Sequence, residues 1–157
     1  TIVIMSVDKL TITSLNIDDT IKQFKLIFGR DINEKSVSDK KLKRRGIKWF
    51  NFFDIDLHIV PIKDSKRAEF KRLYEAQLQI DRNSSDYGIL SHLGIKVPDL
   101  TPYVAIIRNN NIPYEIILRG DGLYQLYIFL EGVIPSFILE LDSKRFTLLD
   151  EKIKTFG

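Results

Sequence analysis

The chain has 157 residues, a length that fits one domain and can bury a substantial hydrophobic core. Hydrophobic residues make up 44% of the chain and charged residues 29%, a balance that is ordinary for a globular protein and excludes intrinsic disorder as the default. Cysteine is absent, which excludes thiol catalysis, disulfide bonds and zinc sites with cysteine ligands. No apolar run approaches the roughly 20 residues that a membrane-spanning helix needs.

The formal net charge is +3, and the basic excess is concentrated in residues 40–45, with Lys48 just beyond. We interpret this run as a solvated loop; contact with phosphate groups or with an anionic membrane surface is the alternative. Nucleic acid is not an expected partner. We expect a cytoplasmic location, or an organelle matrix if the N-terminus is processed.

The first half of the chain predicts a strand, a helix and three further strands. Residues 9–15 alternate in polarity, as a half-buried strand does. Asn16 is placed as a helix N-cap, apolar residues recur at helical spacing from Ile17 to Phe28, and Gly29 is placed to end the helix. The three further strands are predicted at 30–37, 47–53 and 56–62.

The second half predicts the same order after a polar connecting helix at 63–83. A strand is predicted at 89–97, and Asp99 can cap a helix at 100–108. Three more strands are predicted at 114–118, 124–130 and 137–141. Residues 143–157 are predicted to form a tail, with a final helix packed on the body as one option.

The two halves also match residue by residue. When Asn16 is aligned with Asp99, Leu10 meets Leu93 and Phe24 meets Ile107. Two such half-repeats usually bury a shared core, because neither half can cover its own sheet. The sequence therefore predicts one α+β domain built from two modules, each with the order strand, helix and three strands.

The stretch 92–100, which reads His-Leu-Gly-Ile-Lys-Val-Pro-Asp-Leu, resembles the opening of a module of the vicinal oxygen chelate superfamily. This superfamily includes glyoxalase I, bleomycin-resistance proteins, methylmalonyl-CoA epimerase and extradiol dioxygenases. The resemblance continues through 111–114, 122–128 and 138–141, and the first half matches more weakly.

This resemblance implies an α+β fold in which two βαβββ modules form a cupped, mostly antiparallel sheet around a cleft. It divides a single domain, residues 1–157, into a module at 8–62, a helical linker at 63–87, a second module at 88–142 and a tail at 143–157. It also implies that metal ligands come from the first and last strands of each module.

We carry the four ligand positions of the superfamily over to this chain one at a time. Three of them fall on His58, His92 and Glu140. His58 and His92 are the only histidines in the chain. Two imidazoles and a carboxylate could hold Fe, Mn, Ni, Zn or Co with open positions for a substrate, and Glu140 could also transfer a proton as the catalytic residue. The structural alternatives are a half-buried His58, a strand-starting His92 and a surface Glu140; in that case no metal is expected.

The fourth ligand position falls on Lys9, or on Thr11 if the register shifts by two residues. A protonated lysine repels a metal cation and cannot ligate it. We therefore predict that Lys9 either forms a salt bridge with Glu140 in a metal-free cleft or turns outward and leaves a three-ligand metal site. The first outcome is favoured.

Four aromatic residues crowd one predicted strand: Trp49, Phe50, Phe52 and Phe53. We interpret them mainly as core residues. Because alternate side chains of a strand face opposite sides of the sheet, some of these rings could line the cleft and suit a planar or apolar ligand.

The resemblance favours a metal-dependent lyase, isomerase or dioxygenase that acts on a small α-oxo or vicinal-oxygen substrate. Two alternatives stay open. One is a metal-free module that binds a small-molecule ligand, as antibiotic-sequestering members do; the other is a non-catalytic subunit that reuses the fold. The expected partners are a small molecule and, for assembly, a homodimer or a larger complex.

Overall fold

The structure, a computed structural model, describes residues 5–78, 92–130, 132–134, 138–148 and 150–155. Two short 3-10 turns accompany the strands and helices that these residues form. In chain order the strands and helices are β1 Lys9–Ser14, α1 Ile17–Phe28, β2 Ile32–Lys35, α2 Lys40–Arg44, β3 Lys48–Phe52, β4 Ile55–Pro61, α3 Arg67–Leu78, β5 His92–Lys96, α4 Thr101–Asn109, β6 Tyr114–Leu118, β7 Tyr124–Ile128, β8 Val133–Ile134, β9 Ile138–Ser143 and β10 Ile153–Thr155.

The strands form two five-stranded sheets. The N-terminal sheet has the order β2-β3-β4-β1-β8, and the C-terminal sheet has the order β10-β6-β7-β9-β5. In each module the first strand runs parallel to the last, as β1 does to β4 and β5 does to β9, and the pairs β2–β3, β3–β4, β6–β7 and β7–β9 are antiparallel. The predicted α+β class and βαβββ order are confirmed. The exact bounds of the modules, linker and tail stay a prediction.

Helix α1 begins and ends where its sequence directs. The Asn16 side chain accepts a hydrogen bond from the Asp19 N–H at 3.2 Å, and Gly29 ends the helix with a φ of 50°. Phe24 and Phe28 are buried on its inner face and pack against the ring of Phe52 in β3. The helix therefore covers one face of the N-terminal sheet.

Alternate side chains of a strand point to opposite sides, so each sheet has one face in the hydrophobic core and one face turned away from it. We call the face turned away from the core the cleft face of that sheet. In β4, Leu57 and Ile59 lie fully buried in the core while His58 points to the opposite side. In β9, Leu139 and Leu141 are core residues, and Glu140 lies between them on the other face. The residues of the cleft faces that matter below are Lys9, Lys35, Trp49, Asp56 and His58 in the N-terminal sheet, and His92, Gly94, Gln125, Tyr127, Glu140 and Asp142 in the C-terminal sheet.

Residues 153–155 differ from the prediction. They form strand β10, parallel to β6, rather than a final helix. Arg108 of α4 pairs with Asp150 at 3.0 Å and with Glu151 at 2.8 Å, and the Tyr114 hydroxyl donates to Glu151 at 2.9 Å. These side chains hold the tail beside β6, and local sequence does not reveal them.

The basic run also differs from the loop that we predicted. It forms the short helix α2, because Asp39 accepts hydrogen bonds from the N–H groups of Lys41 and Leu42 at 2.8 and 3.2 Å. Its lysines and arginines are exposed.

Three predicted elements extend beyond the part of the chain that the structure describes. They are the end of the connecting helix at 79–83, the start of the strand at 89–91 and the start of the strand at 137. None of the helices in the described ranges is long and apolar enough to cross a membrane.

Candidate functional site

The centre of the C-terminal cleft face is the carboxylate of Glu140. Its residue is 7% exposed, and Gln125 Nε2 donates to its Oε1 at 2.9 Å. The Tyr127 hydroxyl forms a second hydrogen bond to Glu140; burial, this hydrogen bond and the Glu140 charge raise the pKa of Tyr127 well above its usual range. A buried carboxylate is tolerated only with such hydrogen-bond donors.

Asp142 lies two residues further along β9 on the same face and is hydrogen-bonded to Glu140. Burial, followed by the charge of Glu140 and that hydrogen bond, raises the pKa of Asp142 to about 6, and Arg119 and His92 oppose this rise. Asp142 is therefore protonated below about pH 6, where its carboxyl group can donate a hydrogen bond to Glu140. Asp142 was not among the predicted site residues, although the two-residue period of a strand could have placed it beside Glu140.

Strand β5 borders this carboxyl pair. His92 is exposed, and its ring centroid lies 6.1 Å from that of Tyr127. Gly94 lies directly opposite Glu140 in the β5–β9 pairing, and a Cβ added at Gly94 would sit 3.1 Å from Glu140 Oε2. The absence of a side chain at Gly94 therefore leaves room for the Glu140 carboxylate.

His58 occupies the cleft face of the N-terminal sheet. Its ring stacks on Trp49, its cross-strand neighbour, with a centroid distance of 4.7 Å and an interplanar angle of 8°. Asp56 Oδ2 lies 4.0 Å from His58 Nε2, and Lys35 pairs with Asp56 at 2.9 Å. Burial and then the charge of Lys9 lower the pKa of His58, while Asp56 opposes them.

The favoured prediction for Lys9 is wrong. Within the described ranges no salt bridge joins Lys9 to Glu140, whose side chain is instead hydrogen-bonded to Gln125, Tyr127 and Asp142. Lys9 is exposed and lies opposite Asp56 in the β1–β4 pairing, while Thr11 lies opposite His58. The ammonium of Lys9 acts electrostatically on His58.

The three predicted ligands lie on different sheets: His58 is in the N-terminal sheet, and His92 and Glu140 are in the C-terminal sheet. Among the residues that the structure describes, no three histidine, aspartate or glutamate side chains form a group that could hold a metal ion. The predicted set of three ligands is therefore not assembled among the described residues of this structure. The assignment of His58, His92 and Glu140 as metal ligands stays a prediction.

The aromatic strand divides as the alternation predicts. Phe50 and Phe52 are buried in the core, whereas Trp49 lies on the cleft face beside His58. Phe53, in the turn after β3, is 48% exposed and has a φ of 55°. One ring of the four therefore lines the cleft face.

Replacing Asp142 with Asn should stabilise the protein at pH 8 and have little effect at pH 4. Folding raises the pKa of Asp142 from 3.8 to about 6, so its contribution to stability is fully present below pH 3.8 and is lost as the pH rises through about 6. The neutral amide avoids this loss, and each kcal/mol regained should raise Tm by about 2–4 °C. Thermal denaturation of both proteins from pH 4 to pH 8 measures the effect; a Tm difference that does not grow with pH would contradict it.

No protein-family model matches the chain, and no curated protein matches it in sequence. Solved structures do resemble its fold. A glyoxalase family protein from Bacillus anthracis superposes with a TM-score of 0.55 and 12% identity, over 90% of this chain and 97% of that one. Lactoylglutathione lyase from Agrobacterium tumefaciens superposes with a TM-score of 0.52 and 14% identity, over 87% and 92% of the two chains.

A point mutant of the fosfomycin resistance protein FosX from Listeria monocytogenes, in complex with Mn(II) and 1S,2S-dihydroxypropylphosphonic acid, gives a TM-score of 0.58 and 13% identity, over 88% of this chain and 92% of that one. At these identities the likeness concerns the fold. With the two βαβββ halves, it shows that the chain has the cupped, glyoxalase-like fold of the vicinal oxygen chelate superfamily.

Proposed function

We propose that this protein acts on a small α-oxo or vicinal-oxygen substrate and moves a proton on it, as an isomerase or lyase. The observation that carries this proposal is the buried Glu140 carboxylate, held between Gln125 and Tyr127 on the cleft face of the C-terminal sheet. A carboxylate fixed in this way is suited to general acid–base catalysis.

In the proposed reaction Glu140 removes a proton from the carbon next to the substrate's carbonyl group. The C–H bond breaks, its electron pair forms a C=C bond while the carbonyl π pair moves to the carbonyl oxygen, and the proton rests on the Glu140 carboxyl group; if the α-carbon carries a hydroxyl, the product is an enediolate. The hydroxyl proton then passes to the former carbonyl oxygen, and Glu140 returns its proton to the former carbonyl carbon, which completes an isomerisation. Gln125 and Tyr127 orient the carboxylate, and His92 at the exposed edge would donate a hydrogen bond to a substrate oxygen.

The ligand of the FosX structure, 1S,2S-dihydroxypropylphosphonic acid, is a vicinal diol, which supports a vicinal-oxygen substrate class for this fold. A divalent metal bound by His58, His92 and Glu140 would polarise the oxygens of such a substrate. Because the described donors form no three-residue group, our proposed step uses the chain's own residues. The dioxygenase alternative depends on that metal and stays a prediction with it, as does assembly into a homodimer or larger complex.

Deuterium exchange tests this proposal even while the final product of the reaction is unidentified. We expect the protein to catalyse exchange of the α-protons of at least one compound among dihydroxyacetone, hydroxypyruvate, 2-oxobutyrate and S-lactoylglutathione in D₂O, followed by ¹H NMR. Glu140→Gln should slow this exchange about 10²–10⁴-fold, because it removes the base but keeps the side-chain shape.

Glu75→Gln is the matched control, since Glu75 is exposed on α3 and its side chain is 60% accessible. It should exchange protons at the wild-type rate. Wild-type protein that exchanges none of the compounds, or equal rates in wild type and Glu140→Gln, would overturn the proposal. Binding of a compound without exchange would indicate the metal-free binding module instead.

A further inference from the structure

The stacked pair of Trp49 and His58 contains two buried polar atoms that lack partners. Trp49 Nε1 and His58 Nε2 have no hydrogen-bond partner among the described residues, and neither atom is accessible. A buried N–H group without an acceptor is unfavourable, so each such group calls for an explanation. Both rings keep part of their surface open, and the His58 side chain is 15% exposed. A ligand could therefore contact the open part of the rings from the cleft side, and it would meet Trp49 Nε1 once the atoms that cover this nitrogen move aside.

Of the two lysines near this pair, Lys35 is neutralised by a carboxylate and Lys9 is not, among the residues that the structure describes. Lys35 neutralises Asp56 across 2.9 Å, whereas Lys9 forms no salt bridge within the described part of the chain. Asp8 is also exposed, and of the charged groups that act on His58 its influence is the smallest. Lys9 lies next to Asp56 in the sheet and on the same face as His58. The ammonium of Lys9 is therefore available to a ligand at the stacked pair.

We propose that Trp49, His58 and Lys9 form an anion subsite that binds a carboxylate or phosphonate group of the substrate. The Trp49 N–H donates one hydrogen bond to an anionic oxygen, and the Lys9 ammonium supplies a charge-assisted second one. His58 holds the indole in place through the stack. This inference rests on the proposed function and deepens it, because it specifies that the small vicinal-oxygen substrate is an acid.

The chemistry of the donors selects an anion. The indole N–H and the lysine ammonium can donate hydrogen bonds but cannot accept them, so they match a group that presents acceptor oxygens only. An ammonium at this position also opposes a metal cation near His58. Carboxylate and phosphonate groups share the required chemistry, and separate titrations distinguish them.

Trp49 is the only tryptophan of the chain, so its fluorescence reports on this subsite directly. We expect pyruvate or methylphosphonate, titrated at constant ionic strength, to change the emission of Trp49 in a saturable way. The neutral compound hydroxyacetone should not do so. Lys9→Gln should weaken the anion's Kd about tenfold, the loss expected for one charge-assisted hydrogen bond.

Lys25→Gln is the matched control, because Lys25 is exposed on α1, which covers the opposite side of the N-terminal sheet. It removes the same charge and should leave the anion's Kd unchanged. No saturable change with either anion would overturn the anion subsite. An equal loss of affinity in Lys9→Gln and Lys25→Gln would also overturn it, since it would show a general effect of net charge.

Glu140→Gln separates the two proposals, because it should lose proton exchange and keep anion binding. If the wild type exchanges protons but binds neither anion, the subsite is wrong and the proposed function stands. If it binds anions in a Lys9-dependent way but exchanges no protons, the proposed function is wrong and the subsite stands.

Discussion

Replacing Gly94 with Ala should abolish most of the proton exchange while leaving the protein folded. The new Cβ would lie 3.1 Å from Glu140 Oε2, a distance that obliges the carboxylate to shift. The carboxylate must move by a few tenths of an ångström, and a displacement of about 1 Å at a catalytic group can cost about 100-fold in rate. We therefore expect the α-proton exchange rate of Gly94→Ala to fall about 10-fold, measured by the NMR assay described for Glu140→Gln.

Gly120→Ala controls for the loss of glycine itself. A Cβ at Gly120 meets nothing within 4 Å, and neither Gly94 nor Gly120 has the positive φ that would strain an alanine. This variant should exchange protons at the wild-type rate. Exchange by Gly94→Ala at the wild-type rate would contradict the placement of Glu140 at the reacting centre.

Replacing Phe24 with Ala should produce the largest loss of stability among these variants. The Phe24 side chain is fully buried, and its ring lies 5.7 Å from that of Phe52 and 6.0 Å from that of Phe28. Truncation of a buried phenylalanine to alanine costs about 3–5 kcal/mol, because it loses hydrophobic burial and leaves a cavity. Urea denaturation followed by circular dichroism measures the change in the free energy of unfolding.

Leu73→Ala serves as the comparison, since Leu73 is an apolar helix residue that is 51% exposed. Its free energy of unfolding should change by about 0.5 kcal/mol or less. A loss below about 1 kcal/mol for Phe24→Ala would show that α1 is not part of the main core.

Local sequence predicted the elements of this fold best where the signals are themselves local. Asn16 and Gly29 bound helix α1 through contacts within a few residues, and the alternation of residues 9–15 predicted β1. The final strand was missed because its position depends on the contacts of Asp150 and Glu151 with Arg108. Arg108 is 42 and 43 residues away from them in sequence. Such pairings leave no periodic pattern in the sequence.

The candidate site shows the same division. The cleft-face positions of His58 and Glu140 follow from strand alternation, and the same rule would have found Asp142. The sequence could not show that Lys9 forms no salt bridge with Glu140, because that contact depends on how two separate sheets approach each other. The Trp49–His58 stack depends on the register between β3 and β4, which the sequence does not specify residue by residue.

The central claim is that the carboxylate of Glu140, acting with the residues around it, moves the substrate's proton. The most direct test measures α-proton exchange by tag-free protein before and after treatment with a chelator, and again after Mn(II) is added. We predict the same exchange rate in all three samples, with the rate lost in Glu140→Gln. A rate that disappears with the chelator and returns with Mn(II) would contradict this account and support the metal site of His58, His92 and Glu140.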